Sequence, residues 1–302
     1  MRIGLSGGGR DIERIIEQAK QAEADGFSAL WYAGAVGGDP LIAMALAGRA
    51  TSTIELGTSV LQTYPVHPYV QANRAISVAQ AMNRPGFTLG VGPSHDVVIA
   101  GMYGMDFDHP GRHTEEYVRI LGALLRGEMV NESGADFTLR GARLDPPQHP
   151  VPVLIAALAQ RLLRVAGQYT DGTILWMANE RAVETFVRPR IHAAAESAGR
   201  PAPRIVAGLP VAVHDDVDEA RQAAAEQFAI YGTLPNYQRI LAHGDAAGPA
   251  DAAIIGDEKV VTARLQALFD AGVTDVWAAP FIVGNDRDGS RRRTRELLAS
   301  LV

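Results

Sequence analysis

His95 closes the run Gly90-Val91-Gly92-Pro93-Ser94-His95, and an imidazole so placed suits proton transfer or a hydrogen bond to a substrate oxygen. The small residues before it let a ligand approach the backbone closely. The other use of such a histidine is to cap the helix that follows. A second polar group gathers at Thr58, Ser59, Gln62, Thr63 and Tyr64, directly behind the β-branched and apolar run 54–60. Pro65 and Pro68 prevent that run from pairing further. A third group lies in 156–164, where a helix start with Arg161 and Arg164 beside it forms a seat for a phosphate. Trp176 and Met177 end another apolar run and either face a flat ring or fill the core.

Other chemistries are excluded by what the chain lacks. It has no cysteine, hence no disulfide, no thiolate nucleophile and no thiolate zinc ligand. Of 28 basic residues only Lys20 and Lys259 are lysines, both in stretches that read as surface helix. A Schiff base needs a desolvated lysine at a strand end, so aldolase-type and pyridoxal-phosphate chemistry find no support. None of the eight histidines stands in an HExxH or in an i, i+2 pair at an early strand end, so no metal site is expected. The formal charge is −6, and the one basic trio, Arg291 to Arg293, reads as a solvated helix face, so nucleic acid is not an expected partner. No run approaches the ~18 apolar residues of a membrane span, and the first residues show no leader, so a cytoplasmic protein is expected.

These groups need elements to hold them. Apolar strand-like runs fall at 2–6, 27–32, 54–60, 86–92, 151–157, 172–177, 205–213 and 273–281, with helical periodicity between them. Eight strand–helix units predict a (β/α)8 TIM barrel covering 1–302 as one domain, with catalytic groups at the carboxyl ends of the strands. Two excursions interrupt the rhythm. One, after strand four, carries a hairpin-like segment at 131–143. The other, after strand seven, reads as an irregular stretch over 231–248.

Several blocks resemble the luciferase-like monooxygenase superfamily, in the branch that uses the deazaflavin coenzyme F420. They are IELGTSV with the polar loop and HP, FTLGVGPSH, EEYVRILGALLRGE, PVPVLIAALAQRLLRVAGQYTDGT and IIGDEKVVTARLQALFDAGVTDVWAAPF, and they run almost end to end. The resemblance implies a bacterial-luciferase-like barrel with a flavin-like ring at the strand ends. It also implies a non-prolyl cis peptide at Ser59–Val60 behind that ring. Cofactor positions would be Ser59, Val60, Gln62, Pro93, Ser94, Leu158, Ala159, Arg161 and Leu162. His95 would be the proton donor or oxyanion partner, with Tyr64 or Ser94 assisting. Sugar-phosphate-oxidising members carry an Asp-His pair after strand two and a Glu after GVGTG. Here Gly34-Ala35 and His95 stand there, which argues against that substrate.

The activity implied is hydride transfer between F420 and a small organic substrate, by a chain that pairs as a homodimer as the family often does. The GTSV form and the lysine-poor, Arg- and Ala-rich composition favour F420 over FMN. Two readings stand beside it: an FMN-dependent luciferase-like monooxygenase, and a non-catalytic flavin-binding barrel.

Overall fold

Two tryptophans fill the axis of the molecule, and two glycines make room for them. A Cβ at Gly57 would lie 2.3 Å from the Trp31 ring, and one at Gly208 would lie 2.0 Å from the Trp277 ring. Trp31 and Trp277 pack with Ala29, Leu154, Ile174 and Val206 into an inner cluster separate from the larger outer core. The computed structural model that shows this describes residues 1–9, 11–33 and 38–302. Arg10 and residues 34–37, including the Gly34-Ala35 position discussed above, lie outside the described residues.

Eight parallel strands surround the inner cluster: β1 Ile3–Gly7, β2 Ala29–Tyr32, β3 Glu55–Thr58, β4 Phe87–Gly92, β5 Val153–Ile155, β6 Gly172–Trp176, β7 Arg204–Val213 and β8 Asp275–Pro280. Each pairs with the next, and β8 pairs with β1 through Ile3 opposite Val276, which closes the barrel. All residues of β2, β3 and β4 are buried, as expected of strands covered on both faces. Helices α1 Ile12–Ala24, α2 Pro40–Ala50, α3 Pro68–Met82, α4 Pro110–Leu125 and α5 Gln160–Tyr169 form the first part of the outer ring. It is completed by α6 Arg188–Ser197, α7 Val217–Gln227, α8 Glu258–Asp270 and α9 Arg287–Ser300. Asp11, Asp39, Asp216, Asp257 and Asp286 cap five of these helices through their carboxylates.

Before α6 the chain makes one π-helical turn, Val183–Val187. Pro189 has no N–H to return to the preceding turn, and the Arg190 guanidinium instead donates to the Phe186 carbonyl at 2.9 Å.

The segment between α4 and β5 is an antiparallel hairpin, Val130–Ser133 with Thr138–Ala142. Glu116 on α4 holds its turn by accepting from the amides of Ala135, Asp136 and Phe137. The stretch after β7 corrects the sequence reading. Residues 231–248 are not irregular, because Ala229–Thr233 and Pro235–His243 are helices. Pro235 starts the second one, and Tyr237, Ile240 and Leu241 give it a buried stripe. So short an apolar period is easily lost among Gly and Pro.

The amino-terminal end of the barrel is closed by charge. Glu55 of β3 and Asp275 of β8 are almost fully buried, and both accept from Arg204 of β7 and from Arg2. Thr88 adds a bond to Glu55, and Thr274 one to Asp275 at 2.6 Å. These groups satisfy one another at the end of the barrel away from the catalytic face.

Candidate active site

At the opposite end, the carboxyl ends of β3, β4 and β5 meet the first turns of α4 and α5 and the Pro235–His243 helix. Between them is a cleft of about 280 Å³. Its construction starts at β3. Thr58 Oγ1 donates to the Gly90 carbonyl at 2.8 Å and accepts from the Gly90 amide at 2.9 Å. The two strand ends approach so closely that a Cβ on Gly90 would lie 1.9 Å from the Thr58 carbonyl oxygen. The Ser59–Val60 peptide bond is cis. Leu61–Gln62 then runs beside the end of β4, with Leu61 opposite Val91 and Gln62 opposite Gly92.

Val60, Ala156, Leu158, Leu162 and Phe107 give the cleft its apolar walls. Gly92 lets those walls close, because a Cβ there would meet the Ala156 Cβ at 2.9 Å and Val60 Cγ2 at 3.0 Å. Pro93, Ser94 and His95 form one polar edge, and Ser94 adopts φ 68°. Gln62 Nε2 donates to Ser94 Oγ at 3.2 Å, and the Tyr103 hydroxyl donates to Gln62 Oε1 at 2.9 Å. Ala159 and Arg161 form a second edge at the start of α5, whose cap position makes no side-chain hydrogen bond. The first amides of α5 thus have no side-chain cap. Arg161 itself donates to Glu115 of α4 at 2.8 Å.

His95 is half-buried, and desolvation lowers its pKa, so it is a neutral imidazole at pH 7. Its side chain makes no capping bond to the Asp96–Ile99 helix, which decides against the capping role. Its ring lies 5.6 Å from that of Tyr237. Tyr237, whose hydroxyl pKa is raised by burial, is part of an aromatic chain running back to the barrel axis. Tyr237 contacts Tyr231 at 4.9 Å, Tyr231 contacts Trp176 at 5.8 Å, and Trp176 stacks on Trp277 at 4.9 Å.

Val60, Pro93, Ser94, His95, Leu158, Ala159, Arg161 and Leu162, all marked in the sequence, therefore come together in one cleft. Gln62 reaches it through Ser94. Ser59 stands behind Val60, its buried hydroxyl without a hydrogen-bond partner. Tyr64 is not brought to the cleft. The Tyr64 ring stacks on the buried His113 of α4 at 3.8 Å and lies 5.2 Å from the ring of Phe107, a cleft-wall residue, without lining the cleft itself. Burial, with Asp136 and Asp106 nearby, pushes the Tyr64 hydroxyl up to about 12, which does not suit proton exchange near neutrality. Trp176 is half-buried and packs against both apolar clusters, and Met177 is fully buried. The sequence reading missed Phe107, just before α4, and Asn236, Tyr237 and Arg239 of the excursion after β7, all of which line the cleft. The buried period of Tyr237, Ile240 and Leu241 was the signal available for that helix. Among the described residues, no three His, Cys, Asp or Glu side chains gather as a metal site, and no helix is long and apolar enough to cross a membrane.

A closed parallel barrel with its cleft at the carboxyl ends of the strands is a TIM barrel of the enzyme type. Residues 2–297 match the family described as luciferase-like monooxygenase, and the chain belongs to it. A 5,10-methylenetetrahydromethanopterin reductase from Methanolobus tindarius is 25% identical over 288 residues, 95% of this chain and 87% of that protein. An F420-dependent hydroxymycolic acid dehydrogenase from Mycobacterium tuberculosis is 28% identical over 293 residues, 89% and 78% of the two chains. The fold superposes on an F420-dependent secondary alcohol dehydrogenase solved with an F420-acetone adduct, with TM-score 0.80, 18% identity, and coverage of 100% of this chain and 99% of the other.

Proposed function

We propose that this chain is an oxidoreductase that binds coenzyme F420 in the strand-end cleft and moves a hydride between the deazaflavin and a small organic substrate. The observation that carries the reading is the convergence of Val60, Ser94, His95, Leu158, Arg161 and Leu162 on one cleft in a member of this family. Relatives named as F420-dependent add support.

The residues present fit the cofactor. The cleft has apolar walls that Gly92 brings close together, as a flat ring requires. The amides at the start of α5, with Arg161 beside them, suit a phosphate. Val60, Leu158 and Leu162 would hold the ring, and Ala159 and Arg161 the phosphate. When bound, the deazaflavin supplies a carbon that accepts or returns a hydride.

Everything else falls to the protein. As an alcohol is oxidised, its carbon gives up hydride with the bonding electron pair and its hydroxyl loses a proton. The neutral His95 imidazole accepts that proton, and in the reverse direction the protonated ring returns it to the carbonyl oxygen. Ser94, oriented by Gln62, offers a second hydrogen bond at the same edge. Tyr237 packs against the His95 ring and restricts its orientation.

The test is equilibrium binding of F420 and of FMN, titrated side by side by fluorescence quenching. Tighter binding of F420 is expected. Tight FMN binding with weak F420 binding would replace this reading by a two-component monooxygenase. Binding of neither would refute a flavin site altogether. Turnover of reduced cofactor by a candidate acceptor would dismiss a merely storing role.

A further inference from the structure

A groove of about 660 Å³ descends the outer wall of the barrel between α5 and α6, and Arg161 lies on both this groove and the cleft. Gln160, Arg161, Arg164 and Gln168 form one bank, and Arg190 and Ser197 stand on the other. The two helices pack tightly beneath it. Gly167 is so close to α6 that a Cβ would lie 2.4 Å from the Ile191 carbonyl oxygen.

The charges in the groove do not balance. Arg161 and Arg164 share a single carboxylate, that of Glu115, at 2.8 and 3.8 Å. Arg190 lies 4.1 Å above the Phe186 ring, and its hydrogen bonds go to backbone carbonyls. Among the described residues, no acidic side chain lines the groove. Three guanidinium groups therefore face one carboxylate, in a chain whose formal charge is −6. An acidic protein repels polyanions over most of its surface, so a cationic strip leaving the cleft selects where an anionic chain can lie.

The spacing is that of a ladder. At 1.5 Å per residue, Arg164 stands about 4.5 Å below Arg161 along α5, and Gln168 about 6 Å further. We propose that the groove is a subsite for an extended run of anionic groups, phosphate followed by carboxylates, carried by the molecule whose ring enters the cleft. This rests on the deazaflavin reading above, since F420 carries a phosphodiester and an oligoglutamate tail. Arg161 takes the first anion, and Arg164 and Arg190 take those that follow. Gln160 and Gln168 donate between them. Glu115 of α4 is the carboxylate that Arg161 and Arg164 share.

The experiment compares three ligands by fluorescence titration at low and at high salt. They are the deazaflavin riboside without a phosphate, F420 with a short tail, and F420 with a long tail. Each is titrated into the wild-type protein, Arg164→Gln and Arg164→Gln/Arg190→Gln, with circular dichroism to check folding. Arg164 is half-exposed, so its single variant keeps the fold even if the double variant does not.

The expected results are tighter binding as the tail lengthens, and loss of that gain in high salt. Arg164→Gln should weaken binding of long-tailed F420 by about two- to fivefold, the scale of one exposed ion pair, and leave the riboside unchanged. Equal affinity for short and long tails, or an equal loss for riboside and long-tailed F420, would overturn the groove and leave the cleft standing. If none of the three binds, the cleft reading falls and the groove falls with it.

Discussion

Replacing Arg204 by Met should destabilise the barrel without altering what its mouth binds. Arg204 donates to Glu55 at 2.9 Å and to Asp275 at 2.8 Å, and those carboxylates are only 7% and 3% exposed. Without it, two buried carboxylates share Arg2 alone. Breaking a fully buried ion pair by removing one partner costs about 3–5 kcal/mol. Arg204 is a quarter exposed and Arg2 remains, so about 2–4 kcal/mol is a suitable figure here. At roughly 2.1 cal/mol/K per residue, 302 residues give an unfolding entropy of about 0.63 kcal/mol/K, and the melting temperature should fall by about 3–6 °C.

The sign of the pH dependence sharpens this prediction. Burial raises the pKa of Asp275, but Arg204, Thr274 and Arg2 outweigh it and hold the carboxyl below the usual range. In the wild-type protein that stability is present above the unfolded carboxylate pKa and is lost as pH falls through the lower folded value. In Arg204→Met, burial prevails and the folded pKa rises. Protonation then relieves the uncompensated charge, and the gap in melting temperature from wild type should narrow between pH 7 and pH 4. Differential scanning fluorimetry across that range, with a cofactor titration at pH 7, measures both effects. A gap below about 1 °C, or one that does not change with pH, would refute a charge-based closure of this end. Loss of ligand binding by a folded variant would refute the separation of the two ends.

Two further outcomes concern the mouth. His95→Gln should slow hydride transfer by about 10²–10⁴-fold, the range for loss of a general acid–base group. In alcohol oxidation the wild-type kcat/KM should fall on acidification with a pKa below 6.5, because only the neutral ring accepts a proton, and reduction should show the opposite slope. A pH profile identical in His95→Gln would remove His95 from proton transfer. Gly90→Ala places a Cβ 1.9 Å from the Thr58 carbonyl, where only backbone can yield, and should cost about 3 kcal/mol together with ligand affinity. Gly141→Ala, with open space around it at φ 61°, should cost about 1–2 kcal/mol of local strain and no affinity. Equal affinity losses in the two variants would show that Gly90 has no special part in shaping the cleft.

What could be read from the sequence was whatever depends on local order along the chain. His95 was visible because a strand, a run of small residues and an imidazole follow one another within 87–95. The barrel was visible because eight buried runs alternate with amphipathic helices. The contacts that close the site join residues far apart in sequence. Thr58 bonds to Gly90 across 32 positions, and Trp277 fits over Gly208 on the neighbouring strand. Nothing local to Gly208 reveals that it lies under a tryptophan. Tyr64 was grouped with the site because it stands in the polar loop after a strand, and the sequence could not show that its ring stacks on His113, 49 positions away. Tyr237 was missed because its helix is nine residues long and its partner, His95, follows a strand far away in the sequence.

At the amino end of the barrel the buried charges are matched within the protein, whereas two hydroxyls of the loop that leads into the cleft are not. At the amino end, Glu55, Asp275 and Arg204 bond one another and need no further partner. At the carboxyl end, the buried hydroxyls of Ser59 and Thr63 have none within the protein. An unpaired buried polar atom costs free energy, and Ser59 carries that cost directly before Val60, which lines the cleft. Outside the barrel, Arg293 of α9 is held by both Glu258 and Asp215, while Arg161 and Arg164 of the α5 groove share Glu115 between them. Val60 and Arg161 line the same cleft, and Arg161 continues into the groove, which is where a ring and an anionic tail would be held.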